Sequence, residues 1–320
     1  MTPSFLTLIE DDLKTVEGLI LEQAEGYHPI LGEALQTLMN AGGKRIRPAI
    51  SLLIGRILGV TDPNLVMTAA GIELLHTATL VHDDLIDNAL FRRGHPTLNA
   101  RWSPAATVLT GDFLFARSAD MIARTANLEM IRAFSNTLSI IVNGEVHQLF
   151  SDRFQYSRES YQKRIYAKTA SLFEVAAEAP AYYVSSPAEW IEPLRHFGYH
   201  LGMAFQMVDD ILDFTGEQVK LGKPVGGDLR HGIITLPAII FLEQNPGFEA
   251  WANLTEGKGE REEQVTMLLA AINESGAMSM AMGEARGEIQ TAIGYLRRLP
   301  AGPARDGLEA VANMVVERSV

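Results

Sequence analysis

Residues 76–97 read HTATLVHDDLIDNALFRRGHPT, and how this stretch is read decides the fold. Three carboxylates, three imidazoles and an arginine pair fall inside an otherwise apolar segment. As a helix, it sets Asp83 and Asp87 at i, i+4 on one face, with Asp84 one step round. His76 then lies two turns, roughly 10 Å, down the same face. Carboxylates held that close weaken a helix by about 0.2–0.5 kcal/mol per pair unless a cation sits between them. Aspartate oxygens with room left for water and substrate phosphates describe a Mg²⁺ site better than an all-protein Ca²⁺ cage.

One DDxxD pattern is more often a solvated helix end than a metal site. A second copy changes the balance. Residues 205–214 read FQMVDDILDF, so Asp209, Asp210 and Asp213 repeat the spacing after another apolar run. Two acidic i, i+1, i+4 triplets inside two apolar helices form a pair with one purpose.

Working outward, the periodicity is helical throughout. Leu6, Ile9, Leu13, Val16 and Ile20 recur at three and four residues and predict an amphipathic helix that serves the core. A second helix is predicted over Pro29–Asn40, ended by Gly42-Gly43. GGKRIRP follows at 42–48. Lys44 and Arg47 stand at i, i+3 and can converge on one anion, and cations opposing the dipole of the helix start favour an anionic ligand there. The competing reading is a basic helix start on the surface.

Asp62-Pro63 is predicted to cap the helix leading to the first cluster, and Arg92 and Arg93 follow that cluster in a loop running to Pro104. Residues 104–150 are helical in period, and Lys168-Thr169 lies on the apolar segment AKTASLFEVAAEA. A half-buried lysine is costly unless paired, which favours a phosphate partner. Pro187 and Pro193 are read as bracketing a short connection into the second-cluster helix. Residues 215–237, with five glycines and two prolines, are read as a mobile loop over a site; they hold Lys220, Lys223 and Arg230 but no GK[ST], so no nucleotide P-loop is indicated. Further helices are expected over 263–275 and 278–296. With no strand alternation, the expected fold is all-α, a single domain over residues 1–320 of about a dozen helices around a central bundle.

Composition excludes several classes. The formal net charge of −12, with no basic stripe to offset it, argues against nucleic acid as a partner. The absence of cysteine excludes disulfides and thiolate metal sites. The acidic N-terminus lacks the pattern of a signal peptide and no run of about 18 apolar residues is found, so no transmembrane segment and a cytoplasmic location are expected. Two facing aspartate clusters with Mg²⁺ suit ionisation of a carbon–oxygen bond to diphosphate, with apolar helix faces to hold the hydrocarbon and exclude water.

In order and spacing, GGKRIRP, HTATLVHDDLIDNALFRRGHPT, Lys168-Thr169, FQMVDDILDFTG and LGKPVGGDLRHGIITLP resemble the trans-isoprenyl diphosphate synthases across nearly the whole chain. The resemblance implies an isoprenoid synthase-type helical bundle with a central active-site cavity, a homodimer, and up to three Mg²⁺ per site. It implies isopentenyl diphosphate and an allylic diphosphate as substrates, condensed head to tail. Matched to the family pattern, Asp83, Asp87 and Asp209 are the Mg²⁺ ligands, assisted by Asp84 and Asp213. Arg92, Lys168, Gln206 and Lys223 match the groups that hold the allylic diphosphate; Lys44, Arg47, His76 and Arg93 match those that hold isopentenyl diphosphate. Thr169 matches a group that steadies the allylic cation. Ile233 stands where many members carry lysine, which implies weaker diphosphate binding.

Ala78 and Thr79, five and four residues before Asp83, are the resemblance's chain-length positions. Their small size points to a medium or long product, hexa- to decaprenyl diphosphate. Closure of the tunnel by Leu74, Leu75 or a neighbouring helix would make geranylgeranyl diphosphate the product instead. A catalytic subunit that needs a partner stays open. A class I terpene cyclase fits poorly, because it has no use for GGKRIRP.

Overall fold

The computed structural model describes residues 6–92, 94–151, 154, 156–185, 187–215 and 225–317. Among them lie sixteen α-helices and a single two-stranded hairpin, so the all-α expectation holds. By their contacts the residues divide into two compact units, Met1–Leu138 with Leu172–Gly198 and Gly294–Val311, and Ser139–Ser171 with Tyr199–Ile293 and Ala312–Val320.

The first unit is laid out by α1 (Glu10–Leu21), α2 (Pro29–Asn40), α3 (Ile46–Leu58) and α4 (Asn64–Ile86). After α4 come the hairpin strands β1 (Phe91–Arg92) and β2 (His95–Pro96), then α5 (Leu98–Arg101) and α6 (Pro104–Arg124). At the centre is α4, which packs against α1, α3 and α6. It begins after an Asx turn in which the Asn64 amide donates to Asp62 Oδ1 at 2.9 Å, and Pro63 occupies the N-cap position without a side-chain cap. Its side chains are apolar nearly all round, the pattern of a fully packed helix. Ile72, Leu74 and Leu75 are wholly buried, each contributing about 1.5–3 kcal/mol. Over an 18-residue stretch α4 has a mean hydropathy of 1.3 and is long and apolar enough to cross a membrane, but 67% of that stretch is buried inside protein. Two glycines let α4 and α6 approach closely. A Cβ on Gly71 of α4 would lie 2.9 Å from Ile122 Cδ1, and one on Gly111 of α6 would lie 2.2 Å from His82 Nε2.

The run expected to be helical from 104 to 150 is two helices, α6 and α7 (Leu128–Phe150), broken where Ala126 adopts a left-handed φ of 53°. Next come α8 (Arg158–Ile165), a π-helical turn at Tyr166–Ala170, α9 (Ser171–Glu178) and α10 (Pro187–Asp213). The proline pair corrects a sequence expectation: Pro187 starts α10 and Pro193 lies within it. Pro193 forfeits one hydrogen bond near the helix start, while burial of Leu194, Phe197 and Leu201 beyond it keeps the helix continuous.

The second unit contains α11 (Gly227–His231), α12 (Leu236–Gln244), α13 (Glu249–Glu256), α14 (Arg261–Glu274) and most of α15 (Ala277–Leu296), and the chain closes with α16 (Pro303–Glu317). Of the expected loop over 215–237, residues 216–224 lie outside the described residues and much of the rest is helical. In this unit Arg158 of α8 meets Glu243 of α12 and Glu284 of α15, each at 2.9 Å, tying three helices together.

Candidate active site

In the first unit, α4 ends in a Schellman motif. The Ala89 amide donates to the Asp84 carbonyl at 2.8 Å and the Asn88 amide to that of Leu85 at 3.2 Å, with Asn88 at a φ of 51°. All three aspartates of the first cluster therefore sit at the helix C-terminus. Their environments differ: Asp87 is exposed, Asp83 half-buried and Asp84 buried. The hairpin returns the chain so that Arg92 Nε donates to Asp84 Oδ1 at 2.9 Å. His76, Thr79, Leu80 and Asp83 are all half-buried, a stripe at helical spacing, whereas Thr77, Ala78 and Val81 between them are buried. Thr79 shares the face of Asp83, its hydroxyl donating to the His76 carbonyl at 2.7 Å. Ala78 has no exposure at all. His82, one residue before the aspartates, turns toward α6, with Nε2 3.5 Å from Asp112 Oδ1.

The three cations of GGKRIRP are separated by the fold. Arg45 takes a left-handed φ of 46° as the N-cap of α3. Its guanidinium meets Glu17 at 3.0 Å, Glu73 at 3.4 Å and the Met39 carbonyl at 3.2 Å. Arg45 is therefore committed to holding the turn. Lys44 is exposed before the helix start, and Arg47 is buried in its first turn with its guanidinium 4.5 Å from the Phe173 ring centroid. Stacking fixes the plane of a guanidinium and preserves its in-plane fork for a planar acceptor such as phosphate.

In the second unit, the second cluster lies at the C-terminus of α10. Asp209 is half-buried, while Asp210 and Asp213 are buried. Asp213 accepts from the Gly227 amide at 3.2 Å and the Asp228 amide at 3.1 Å, so it caps α11. Asp210 accepts from Tyr161 Oη and from Gln206 Nε2, both at 2.8 Å. Burial pushes its carboxyl up to about 7, with the neighbouring charge of Asp228 adding to the effect and the hydrogen bonds opposing it. The Thr169 hydroxyl donates to Gln206 Oε1 at 2.5 Å. Thr169 and Lys168 lie on the π-helical turn, and Lys168 Nζ is 3.8 Å from Glu145. The turn packs on Gly144 of α7, where a Cβ would come within 2.4 Å of Ala167 Cβ. Such turns interrupt an α-helix by one residue and are frequent at functional sites.

The first-unit residues expected to act on substrate thus lie along the second half of α4, on the hairpin after it and at the start of α3, and the second-unit ones along α10 and the π-turn. Arg93 and Lys223 lie outside the described residues. Reading the sequence missed Tyr161 and assigned no role to Asp210. A signal existed: Tyr161 and Ile165 are the only apolar positions in the charged segment RESYQKRI, spaced to face one neighbour.

The donor chemistry fits a hard divalent cation. Neither α4 nor α10 has a basic residue in its last turn, yet both carry aspartates there. A helix C-terminus bears about half a negative charge, so carboxylates at that end are unfavourable by about 0.3–1 kcal/mol each unless a cation offsets them. Among the described residues no three His, Asp or Glu side chains form a cage by themselves. A cation here would draw further oxygens from water and substrate, as Mg²⁺ does.

The family profile described as polyprenyl synthetase matches residues 28–272. An octaprenyl diphosphate synthase of Haemophilus influenzae is 35% identical over 315 residues, covering 98% of this chain and 95% of its own length. Component 2 of the heptaprenyl diphosphate synthase of Bacillus subtilis is 35% identical over 315 residues, covering 98% of this chain and 89% of its own. Among solved structures, the polyprenyl synthase of Caulobacter crescentus CB15, complexed with calcium and isoprenyl diphosphate, superposes with a TM-score of 0.91 at 33% identity, covering 98% of this chain and 96% of its own.

Proposed function

The chain belongs to the polyprenyl synthetase family and shares its isoprenoid-synthase helical fold, and from that premise we propose that it condenses isopentenyl diphosphate with an allylic diphosphate, head to tail in the trans configuration, to a medium- or long-chain polyprenyl diphosphate. The observation that carries this reading is the pair of DDxxD clusters, each at the C-terminus of an apolar helix, in a chain that an octaprenyl diphosphate synthase matches over 98% of its length. The test is incorporation of labelled isopentenyl diphosphate by the purified chain with Mg²⁺ and allylic primers of C5 to C20, the products sized by mass spectrometry. Absence of any polyprenyl product in the presence of every primer would contradict the reading of a chain active by itself.

In this proposal the catalytic unit is a single domain over residues 1–320, to which both compact units contribute; the family match over 28–272, which draws on both, supports it. Asp83, Asp87 and Asp209 hold Mg²⁺, up to three ions per site. Asp84 and Asp213 assist through water, since Arg92 and the α11 amides already engage them. The calcium in the Caulobacter crescentus relative supports a divalent-cation requirement. When bound, the metal neutralises charge on the diphosphate leaving group.

Arg92, Lys168, Gln206 and Lys223 hold the allylic diphosphate, while Lys44, Arg47, His76 and Arg93 hold isopentenyl diphosphate. The allylic carbon–oxygen bond breaks and its electron pair leaves with diphosphate. The isopentenyl double bond then attacks the cation, and a proton passes to the departed diphosphate. Thr169 offers oxygen lone pairs to the developing cation. Ile233 removes one cationic contact and weakens allylic diphosphate binding. Ala78 and Thr79, beneath Asp83, limit the tunnel that receives the growing chain.

The assembly we propose is a homodimer in the cytoplasm, a location for which the absence of cysteine is supporting. On α6, Ala105, Leu109, Asp112, Ala116, Ala119 and Ala123 are exposed at alternating spacings of four and three, the a/d spacing of a helix–helix seam. Leu109 is 67% exposed. A second reading, a catalytic subunit that requires a partner chain, is favoured by the component designation of the Bacillus subtilis relative. Activity of the purified chain by itself separates the two.

A further inference from the structure

We propose that Tyr161 and Asp210 are positioning residues that set the hydrogen-bond polarity of Thr169, so that its hydroxyl meets the reacting carbon with lone pairs only. The four residues of this chain all lie in the second unit. Tyr161 is 2% exposed and Asp210 4%, and they are joined at 2.8 Å. The other carboxylate oxygen of Asp210 accepts from Gln206 Nε2, also at 2.8 Å. A carboxylate gripped by donors on both oxygens is fixed in orientation.

That orientation propagates by elimination. Asp210 accepts on both oxygens, from Tyr161 Oη on one and from Gln206 Nε2 on the other, so the amide of Gln206 turns its NH₂ end toward Asp210. Its carbonyl end is then at Thr169, 2.5 Å from the hydroxyl oxygen. Two oxygens can share a hydrogen bond only through the hydroxyl hydrogen, so Thr169 donates to Gln206. A hydroxyl has one hydrogen. With that hydrogen spent on Gln206, any group approaching Thr169 Oγ1 from another side meets electron density, which attracts a developing carbocation.

Backbone geometry builds the same chain. Gln206 and Asp210 stand one turn apart on α10, and Tyr161 and Thr169 reach them from α8 and the π-helical turn. Without an anchor at Tyr161, Asp210 can rotate and the Gln206 amide can exchange its ends. Thr169 would then receive a hydrogen bond and turn its own hydrogen elsewhere.

The inference rests on the prenyl-transfer reading, and its test separates the two. Wild type, Tyr161→Phe, Thr169→Val, Thr169→Ser and the Tyr161→Phe/Thr169→Val double variant are compared in single-turnover and steady-state assays, with melting temperatures as a folding control. Tyr161→Phe is expected to lower kcat about tenfold with both KM values within about twofold. Thr169→Ser retains activity, and Thr169→Val loses about 100-fold. In the Thr169→Val background, Tyr161→Phe costs no more than about twofold, because the relay has lost its end point. Equal effects of Tyr161→Phe in both backgrounds, or no effect in wild type, overturn the proposal. A second arm needs neither activity nor a folded variant. In the wild-type protein, NMR hydrogen exchange of the Gln206 side-chain amide should be at least about tenfold slower than that of the exposed Gln36. Equal exchange rates overturn the relay, whereas a wild-type chain that makes no product while Gln206 stays protected overturns only the reading of a chain that carries out prenyl transfer by itself.

Discussion

Arg92 Nε donates to Asp84 Oδ1 at 2.9 Å, binding the hairpin after the first aspartate cluster to the helix that carries it. The arginine side chain is one-third exposed and the aspartate almost wholly buried. Arg92→Ala should raise KM for the allylic diphosphate about tenfold or more, leaving KM for isopentenyl diphosphate within about twofold. Arg92→Lys should fall between, since an ammonium cannot reproduce a planar fork. Steady-state kinetics with each substrate varied in turn check this, and equal rises in both KM values would count against a role confined to the allylic site.

If the carboxylates at the C-termini of α4 and α10 hold the proposed divalent cation, that cation should stabilise the fold as well as serve catalysis. Chelation should abolish turnover, and Mg²⁺ should restore it. Asp83→Asn, Asp87→Asn or Asp209→Asn should each lower kcat at least about 100-fold. With inorganic diphosphate present, Mg²⁺ should raise the melting temperature of the wild type by about 2–5 °C and that of an Asp83→Asn/Asp87→Asn double variant by less. Equal shifts by differential scanning fluorimetry would place the ion elsewhere.

Ala78 and Thr79 differ in a way that substitution can read. Ala78→Phe and Thr79→Phe should each shorten the product by one or more C5 units. Only Ala78→Phe should also cost about 1–3 kcal/mol of stability, because Ala78 has no exposure and a ring there overpacks the core. Mass spectrometry of the products and urea titration of the variants give the two readouts. An unchanged product distribution in both would remove this turn of α4 from chain-length control.

The α6 seam predicts the assembly. Leu109→Glu combined with Ala116→Glu should convert a dimer to a monomer, halving the mass measured by light scattering. Retention of the wild-type mass would exclude α6 as the contact.

Glu178 supplies a pH signature. Burial pushes its carboxyl above the ordinary value of 4.5, with the charge and hydrogen bond of Arg195 opposing. A raised carboxylate keeps its proton longer folded than unfolded, so the unfolded state binds fewer protons as pH rises from 4.5 and stability falls. Glu178→Gln removes that titration. The melting temperature of the variant relative to wild type should climb as pH rises above 4.5. A difference independent of pH would be inconsistent with this.

Much of the candidate site was legible because its signals are local. Helical periodicity, the i, i+4 spacing of Asp83 with Asp87 and of Asp209 with Asp213, and the Gly42-Gly43 stop before Lys44 are properties of short segments, as is the small size of Ala78 and Thr79. Two readings failed where local rules met opposing packing. Pro193 was taken as a helix boundary, but the buried apolar residues Leu194, Phe197 and Leu201 after it carried α10 through it. The break at Ala126 was missed because no glycine or proline marks it.

By itself the sequence determined an all-helical chain with two acidic clusters on apolar helices and cations spaced for phosphates, since helix geometry converts spacing directly into a shared face. Tertiary structure decided which member of each set looks inward. Asp84 is held by Arg92 and Asp210 by Tyr161, while Asp83 and Asp209 remain half-buried. Arg45 is spent on Glu17 and Glu73, and Arg47 lies on Phe173. Burial and partner choice depend on residues far away in the chain, 49 positions for Tyr161 and Asp210, and no local spacing encodes which neighbour a packed helix will meet.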